Sequence, residues 1–220
     1  DHRDLHSFPT RRSSDLARGI LAVLRFSHHR KGVRVIFQNH EDEALFLQHH
    51  ITTQEDCVLI KGSGVDLKEF NCVPEPDSLP VKVMFTARMV REKGVVVLME
   101  AAELLRSEYE GRLVFLLCGK LSDNPKAMQR DELEARCDGR YIQWLGHRTD
   151  IRELLQQCHI VAFPSYYREG VPKSLIEACA TGRPIVTTHS IGCKDTVEDG
   201  VNGFLIPIKD SGALAEKLRT

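Results

Sequence analysis

Two basic residues follow a strand-like segment in the second half of this 220-residue chain. After the apolar run at residues 81–87 come Arg88 and, five residues later, Lys93, just before a helix predicted to begin at Gly94. An arginine binds phosphate oxygens in bidentate fashion, a lysine adds a compact charge, and a helix N-terminus attracts anions. The spacing is typical of a diphosphate-binding loop, with two solvated surface cations as the alternative.

A second loop whose residue types could bind a ligand follows the strand-like segment at residues 159–165. It contains Glu169 and Gly170, and Pro172 suits the first position of the next helix. Backbone N–H groups at residues 170–174 would then face the crevice and could hold phosphate oxygens. This loop is therefore a second candidate for ligand binding.

Glu177 lies inside the helix predicted over residues 172–181. At 1.5 Å per residue it is roughly 7–8 Å from the helix start, where a carboxylate can accept bonds from two vicinal ribose hydroxyls. A solvated helix position is the alternative, although the neighbouring residues are apolar and a buried carboxylate requires a polar partner.

Composition excludes several classes of function. The 30 Lys and Arg against 31 Asp and Glu leave a formal charge of −1, which argues against nucleic-acid binding. No apolar run approaches the ~20 residues of a membrane helix, and no signal-peptide pattern opens the chain. Seven cysteines without CxxC spacing fit a reducing cytoplasm better than a disulfide framework.

Strand-like and helix-like segments alternate from residue 81 onward. The strands are continuously apolar, which predicts burial on both faces between layers of helices. The chain is therefore predicted to be α/β, with a doubly wound parallel sheet whose ligands bind at the carboxyl ends of the strands. A dehydrogenase is disfavoured because no Gly-x-Gly-x-x-Gly follows a first strand. The predicted strands cover residues 81–87, 113–119, 141–146, 159–165, 184–188 and 204–208, and the helices 94–107, 126–136, 150–158 and 172–181.

The first third of the chain has a weaker pattern. Residues 1–17 have no apolar period and are predicted to be an artefactual or disordered tail. Residues 18–70 contain strand candidates at 33–38 and 56–60 around a short helix at 41–50, and three prolines within 71–80 predict a linker. Both ends look cut, so we expect a piece of a longer protein.

Four segments in the same order resemble the retaining glycosyltransferases of family four. The resemblance covers residues 18–220, and four ordered motifs are more specific than any one alone. The segments are the Glu-x7-Glu motif of Glu169 and Glu177, the TARMVREKG loop with Arg88 and Lys93, EDGVNGFLIP at residues 198–207, and GSGVDLKEF at residues 62–70.

The resemblance implies a GT-B fold, in which two Rossmann-like domains flank the active-site cleft. Residues 81–220 would be a nearly complete C-terminal domain that binds a nucleotide-sugar donor. Residues 18–70 would be the end of the N-terminal acceptor-side domain, and residues 71–80 the linker between them. Because most of the acceptor side is missing, we expect the fragment itself to be inactive.

The family's residue roles carry over onto matching positions. Catalytic roles fall on Arg88 and Lys93, which would neutralise the donor diphosphate, and on Glu169, which would contact the transferred sugar. Glu177 would hold the ribose hydroxyls. The remaining donor-binding positions are Gly170, Val171 and Pro172, which would shape the loop, and Gly119, which would leave room for the donor. Lys120 departs from the family, which often has a second glycine there.

The implied reaction is hexosyl transfer with retention, from a UDP-hexose or UDP-N-acetylhexosamine to a surface-glycan or lipid-linked acceptor in bacterial polysaccharide or lipopolysaccharide biosynthesis. No metal or other cofactor is implied, consistent with the lack of an Asp-x-Asp after any strand. The expected location is the cytoplasm, with peripheral association at the inner membrane face through the N-terminal domain. A non-catalytic nucleotide-sugar-binding or scaffold module of the same fold is the alternative.

Overall fold

A computed structural model describes residues 11–30, 32–123 and 127–219, with side chains from residue 15. The chain divides into two compact units, Asp1–Ile60 and Lys61–Thr220. Of the predicted tail, residues 1–10 lie outside the described residues, and the first helix begins at Arg11 within it. Among the described residues, no helix combines the length and apolar character needed to cross a membrane.

The described residues of the first unit form two short parallel strands and two α-helices. An Asn39 side chain caps the second helix by accepting a hydrogen bond of 2.7 Å from the backbone N–H of Asp42. The predicted helix and both strand candidates are present, with the strands shorter than expected. The elements are α1 (Arg11–His28), β1 (Val35–Phe37), α2 (His40–Gln48) and β2 (Cys57–Leu59).

The second unit is a parallel six-stranded sheet with the order β5-β4-β3-β6-β7-β8. Its strands are β3 (Val81–Thr86), β4 (Leu113–Cys118), β5 (Ile142–Gly146), β6 (Ile160–Phe163), β7 (Ile185–Thr188) and β8 (Gly203–Ile206). Its helices are α3 (Val95–Tyr109), α4 (Arg130–Arg136), α5 (Ile151–Gln157), α6 (Lys173–Thr181) and α7 (Ser211–Arg219). The predicted doubly wound α/β architecture is confirmed.

The strand order reverses direction between β3 and β6, which lie side by side at the centre of the sheet. Strands added after β3 extend the sheet to one side and strands added after β6 extend it to the other. The loops that leave these two strands therefore meet at the carboxyl ends of the strands, at the reversal of strand order where ligands bind in sheets of this kind.

The central strands are apolar because both faces of the sheet are covered. All six residues of β4 are buried, and the Phe85 and Phe163 rings stack with centroids 5.7 Å apart. Helix α4 begins later than predicted because Ala127 and Met128 pair with the segment around Val90 instead of forming a helical turn. Their apolar character reflects burial against that segment.

The proline-rich segment 71–80 belongs to the second unit. Arg183, with 2% of its surface exposed, donates hydrogen bonds to the carbonyls of Val73 and Pro74. His159 Nε2 donates to the Ser78 carbonyl at 2.9 Å. The boundary between compact units lies earlier, after Ile60, and a role for segment 71–80 as a functional linker stays a prediction.

Candidate active site

The carboxyl ends of β3 and β6 lie side by side and bring together the two loops singled out from the sequence. The loop after β3 carries Lys93, in a 3₁₀ turn at Arg91–Lys93, and the loop after β6 carries Glu169. Lys93 Nζ donates a hydrogen bond to Glu169 Oε2, and each side chain is only 17% exposed. The predicted diphosphate-binding cation and the predicted sugar-binding carboxylate are therefore direct partners.

Aromatic rings and a hydroxyl complete the surroundings of this ion pair. Lys93 Nζ lies 5.3 Å from the centre of the Tyr167 ring and 5.9 Å from that of Phe163, within cation–π range. Ser165 Oγ lies 3.3 Å from Glu169 Oε1. Both carboxylate oxygens thus have a hydrogen-bond donor before any ligand arrives.

The two loops are also joined through their backbones. The Glu92 carbonyl oxygen accepts a hydrogen bond from the backbone N–H of Tyr166 at 3.0 Å and lies 3.2 Å from Ser165 Oγ. Thr188, at the end of β7, donates its hydroxyl to the Ser165 carbonyl. Sequence reasoning missed Ser165 because it was assigned to the end of a strand, and only its small polar side chain after an apolar run hinted at a role.

A third loop, which follows β7, packs against the backbone of the Glu169 loop. Gly192 has a φ of +84°, and a Cβ there would lie 2.1 Å from the Gly170 carbonyl oxygen and 2.7 Å from that of Glu169. Only glycine permits both this conformation and this approach. Gly192 was also missed, since the sequence shows only a glycine in a loop.

Arg88 and Gly119 line a separate cavity of about 260 Å³ at the ends of β3, β4 and β5. Gly119 has a φ of +152°, and a Cβ there would lie 1.7 Å from the Ala87 carbonyl oxygen, so the close approach of two strand ends requires glycine. The cavity rim is basic. The lining residues are Thr86, Ala87, Arg88, Cys118, Gly119, Lys120, His147, Arg148 and Ile151.

The structure therefore gives Arg88 and Lys93 different surroundings. Arg88 is exposed, and among the described residues it forms no ion pair, whereas Lys93 is engaged by Glu169. Of these two cations, Arg88 is consequently the one that can contact an incoming anion directly. Lys93 would have to bind the anion in addition to Glu169 or in place of it.

Glu177 lies one turn into α6, and its side chain is 12% exposed. Burial raises the pKa of this carboxyl, and Lys173, whose Nζ is 3.7 Å from Oε1, only partly offsets it. Helix α6 begins at Lys173, one residue later than predicted, with Pro172 in the capping position. Among the described contacts, none joins Glu177 to the Lys93–Glu169 pair.

In the part of the chain that the structure describes, no three His, Cys, Asp or Glu side chains cluster so as to hold a metal ion. Cys193 is buried near enough to feel the charges of Glu169 and Lys93, but burial raises the pKa of its thiol and disfavours a nucleophilic thiolate. The ion pair offers positive charge and a shielded carboxylate, and the separate cavity offers a basic rim, which together suit an anionic ligand that also carries hydroxyl groups.

Comparison with known proteins identifies the family to which the chain belongs. Residues 80–220, well over half of the chain, match the model described as glycosyl transferases group 1. The chain belongs to the glycosyl transferases group 1. The ion pair, the basic cavity and Glu177 all lie inside the matched region.

Curated relatives of this group 1 glycosyltransferase chain are bacterial proteins of glycan biosynthesis. It is 30% identical over 207 residues to the N,N'-diacetylbacillosaminyl-diphospho-undecaprenol alpha-1,3-N-acetylgalactosaminyltransferase of Campylobacter jejuni, covering 88% of this chain and 51% of that protein. It is 28% identical over 172 residues to the putative colanic acid biosynthesis glycosyltransferase WcaL of Salmonella typhimurium, covering 73% and 41%. The chain spans about half the length of such relatives.

Solved structures confirm the predicted GT-B fold class of the group 1 glycosyltransferase chain. Anabaena HepE in complex with UDP-glucose aligns with a TM-score of 0.72 at 22% identity, covering 94% of this chain and 58% of that one. A glycosyltransferase from Rickettsia africae aligns with a TM-score of 0.75 at 22% identity, covering 90% and 56%. At these identities the likeness establishes fold alone.

Proposed function

We propose that the protein is a retaining hexosyltransferase of bacterial polysaccharide or lipopolysaccharide biosynthesis. It transfers a sugar from a UDP-hexose or UDP-N-acetylhexosamine to a surface-glycan or lipid-linked acceptor. The observation that carries the proposal is the Lys93–Glu169 ion pair at the reversal of strand order, inside the region that matches the family.

The cations are proposed to stabilise the leaving group. As the bond between the sugar and the diphosphate breaks, negative charge grows on the phosphate oxygens, and preorganised positive charge lowers the energy of that state. Arg88 is exposed at the rim of the cavity and offers a bidentate fork. Lys93 lies in a shielded setting, where its charge acts more strongly than in water.

The carboxylates are proposed to bind the hydroxyl groups of the donor. Glu169 would contact the transferred sugar near its anomeric carbon, on a loop shaped by Gly170, Val171 and Pro172. Glu177 would accept bonds from the ribose hydroxyls, since Lys173 Nζ lies 3.7 Å from its Oε1 and leaves acceptor capacity unused. Gly119 would leave room for the donor at the cavity that it lines, where a side chain would collide with the Ala87 carbonyl.

The names of similar proteins support the proposed donor and acceptor classes. The Campylobacter relative is named for an undecaprenol-linked acceptor, which favours a lipid-linked acceptor here. The structural neighbour was solved with UDP-glucose, which favours a UDP-sugar donor. Such an acceptor would place the enzyme at the inner face of the cytoplasmic membrane, held peripherally and without a metal cofactor.

The proposal is tested by calorimetric titration of UDP, GDP and ADP into the full chain. UDP is expected to bind best, and Lys93→Ala and Glu177→Ala are each expected to weaken it about tenfold through loss of a charged hydrogen bond. The matched controls Lys68→Ala and Glu100→Ala change exposed residues of the same types outside the site and should leave UDP affinity unchanged.

The outcomes separate an active site from other possibilities. A folded chain that binds none of the three nucleotides would contradict the proposal. UDP binding that is insensitive to both site variants would place the nucleotide elsewhere and contradict the residue assignments. Donor binding without sugar transfer in any longer form of the protein would favour the non-catalytic module.

A further inference from the structure

Ser165 is a fully buried hydroxyl whose contacts all lie at the candidate site. Its Oγ is 3.2 Å from the Glu92 carbonyl oxygen and 3.3 Å from Glu169 Oε1, and it accepts a hydrogen bond from the backbone N–H of Tyr167 at 3.2 Å. It therefore joins the loop after β3, the loop after β6 and the Glu169 carboxylate.

The single proton of this hydroxyl must choose between two acceptors. A carboxylate is a stronger acceptor than a neutral carbonyl, because hydrogen bonds to ionised groups are roughly twice as strong as those between neutral groups. The Glu92 carbonyl already has a second donor in the Tyr166 N–H. The Ser165 hydroxyl therefore donates its proton to the Glu169 carboxylate in preference to the Glu92 carbonyl.

The backbone of Ser165 is fixed independently of its side chain. Thr188 is buried at the end of β7 and donates its hydroxyl to the Ser165 carbonyl. The backbone N–H of Ser190 in turn donates to Thr188 Oγ1 at 3.3 Å. The backbone of Ser165 is consequently held at the end of β7 by residues outside the loop that carries Ser165 and Glu169.

We infer that Ser165 is a positioning residue for Glu169. Donor binding would draw the Lys93 ammonium toward the diphosphate, and the charge that holds Oε2 would then be shared. Ser165 keeps its bond to Oε1 throughout and so keeps the carboxylate directed at the sugar. This inference rests on the proposed function, since it takes the ligand to be a nucleotide sugar.

The test is to titrate UDP, UDP-glucose and UDP-N-acetylglucosamine into the full chain and its Ser165→Ala variant. Because Glu169 meets the sugar and not the nucleotide, the variant should bind UDP normally and bind the better of the two nucleotide sugars about tenfold more weakly. Thr187→Val is the matched control. It removes another buried hydroxyl, bonded at 2.7 Å to the Phe163 carbonyl, and should leave both affinities unchanged.

A double-mutant cycle shows whether Ser165 acts through Glu169. In a Glu169→Ala background, Ser165→Ala should weaken nucleotide-sugar binding less than about twofold, because its target is gone. An undiminished effect in that background would overturn the inference, as would equal loss of UDP and nucleotide-sugar binding in the single variant. If the wild-type chain binds no UDP, the proposed function fails and this inference with it.

Discussion

The Lys93 ammonium and the Glu169 carboxylate, 76 residues apart in sequence, form an ion pair at the point where the strand order of the sheet reverses. Each neutralises the other while the site is empty. A partly buried charge without such a partner would be costly, so the pair stabilises both charges in a setting shielded from water. An anionic ligand must therefore compete with Glu169 for Lys93.

Replacing Glu177 by glutamine should stabilise the unliganded protein at neutral pH. Burial raises the pKa of Glu177 in the folded state, so its contribution to stability is full below the unfolded pKa of about 4.3 and declines as pH rises through the folded value. Glu177→Gln removes that decline. Thermal unfolding should show a higher Tm than wild type at pH 7 and no difference near pH 4.

The same substitution should weaken UDP binding about tenfold, because a charged acceptor is lost. Glu100→Gln, on the exposed face of α3, serves as the control and should change neither Tm nor affinity. A Glu177→Gln protein less stable than wild type at pH 7 would contradict the burial argument.

Gly192→Ala should destabilise the protein by about 2–4 kcal/mol, since a Cβ would collide with the Gly170 carbonyl and also occupy a left-handed conformation. Gly200→Ala separates the two causes. Gly200 has a similar φ of +78°, but a Cβ added there would meet no atom within 4 Å, so a loss of about 1 kcal/mol is expected. Urea unfolding followed by Trp144 fluorescence measures both, and equal losses would refute the steric account.

Arg183→Lys should cost about 2–4 kcal/mol of unfolding free energy, because a lysine cannot reproduce the guanidinium bonds to several backbone carbonyls. Segment 71–76 should become a new site of protease cleavage. Arg152→Lys alters an exposed arginine that pairs with Glu153 and should fall within about 0.5 kcal/mol of wild type. Cleavage at wild-type rates in Arg183→Lys would show that the contact does not hold the segment.

Asp138→Ala should lower stability by about 1 kcal/mol at neutral pH, since Asp138 is exposed and solvent screens its ion pair with Arg106. Burial alone would raise the pKa of Asp138, but hydrogen bonds from Arg106 and from the backbone N–H groups of Arg140, Ile142 and Tyr141 outweigh it and hold the pKa well below its usual range. The stability from this lowered pKa is present above the unfolded value of about 3.9 and is lost as pH falls below it.

The gap between Asp138→Ala and wild type should therefore narrow below about pH 4, as measured by urea unfolding across pH. Asp77→Ala removes an exposed carboxylate and should show no such gap. A gap that stays constant down to low pH would assign the effect to packing instead of charge.

The sequence allowed the Lys93 and Glu169 loops to be placed at one edge of a sheet, because continuously apolar strands imply a parallel arrangement whose carboxyl ends meet. It did not predict the strand order, which decides that these two loops, and not the loop after β4, face each other. It also did not predict that Arg88 is exposed while Lys93 pairs with Glu169, since the direction of a side chain within a loop leaves no periodic signal in the sequence.

Ser165 and Gly192 escaped prediction for a related reason. Their roles depend on backbone atoms far away in sequence, such as the Glu92 and Gly170 carbonyls, and hydrogen bonds of this kind require the fold before they can be recognised. The same holds for Arg183, which in sequence is one arginine among many yet lies buried against Val73 and Pro74.

The bonds from Arg183 to Val73 and Pro74 also decide where this protein can be shortened. An expression fragment that starts at the first residue of β3 would strip the buried guanidinium of two acceptors, and one that starts after Pro74 would do the same. Gly182 lies against Cys72, so a shortened fragment should also retain Cys72. A fragment of the second unit for NMR or crystallisation should therefore begin at Lys61 or earlier, although the sheet itself starts only at Val81.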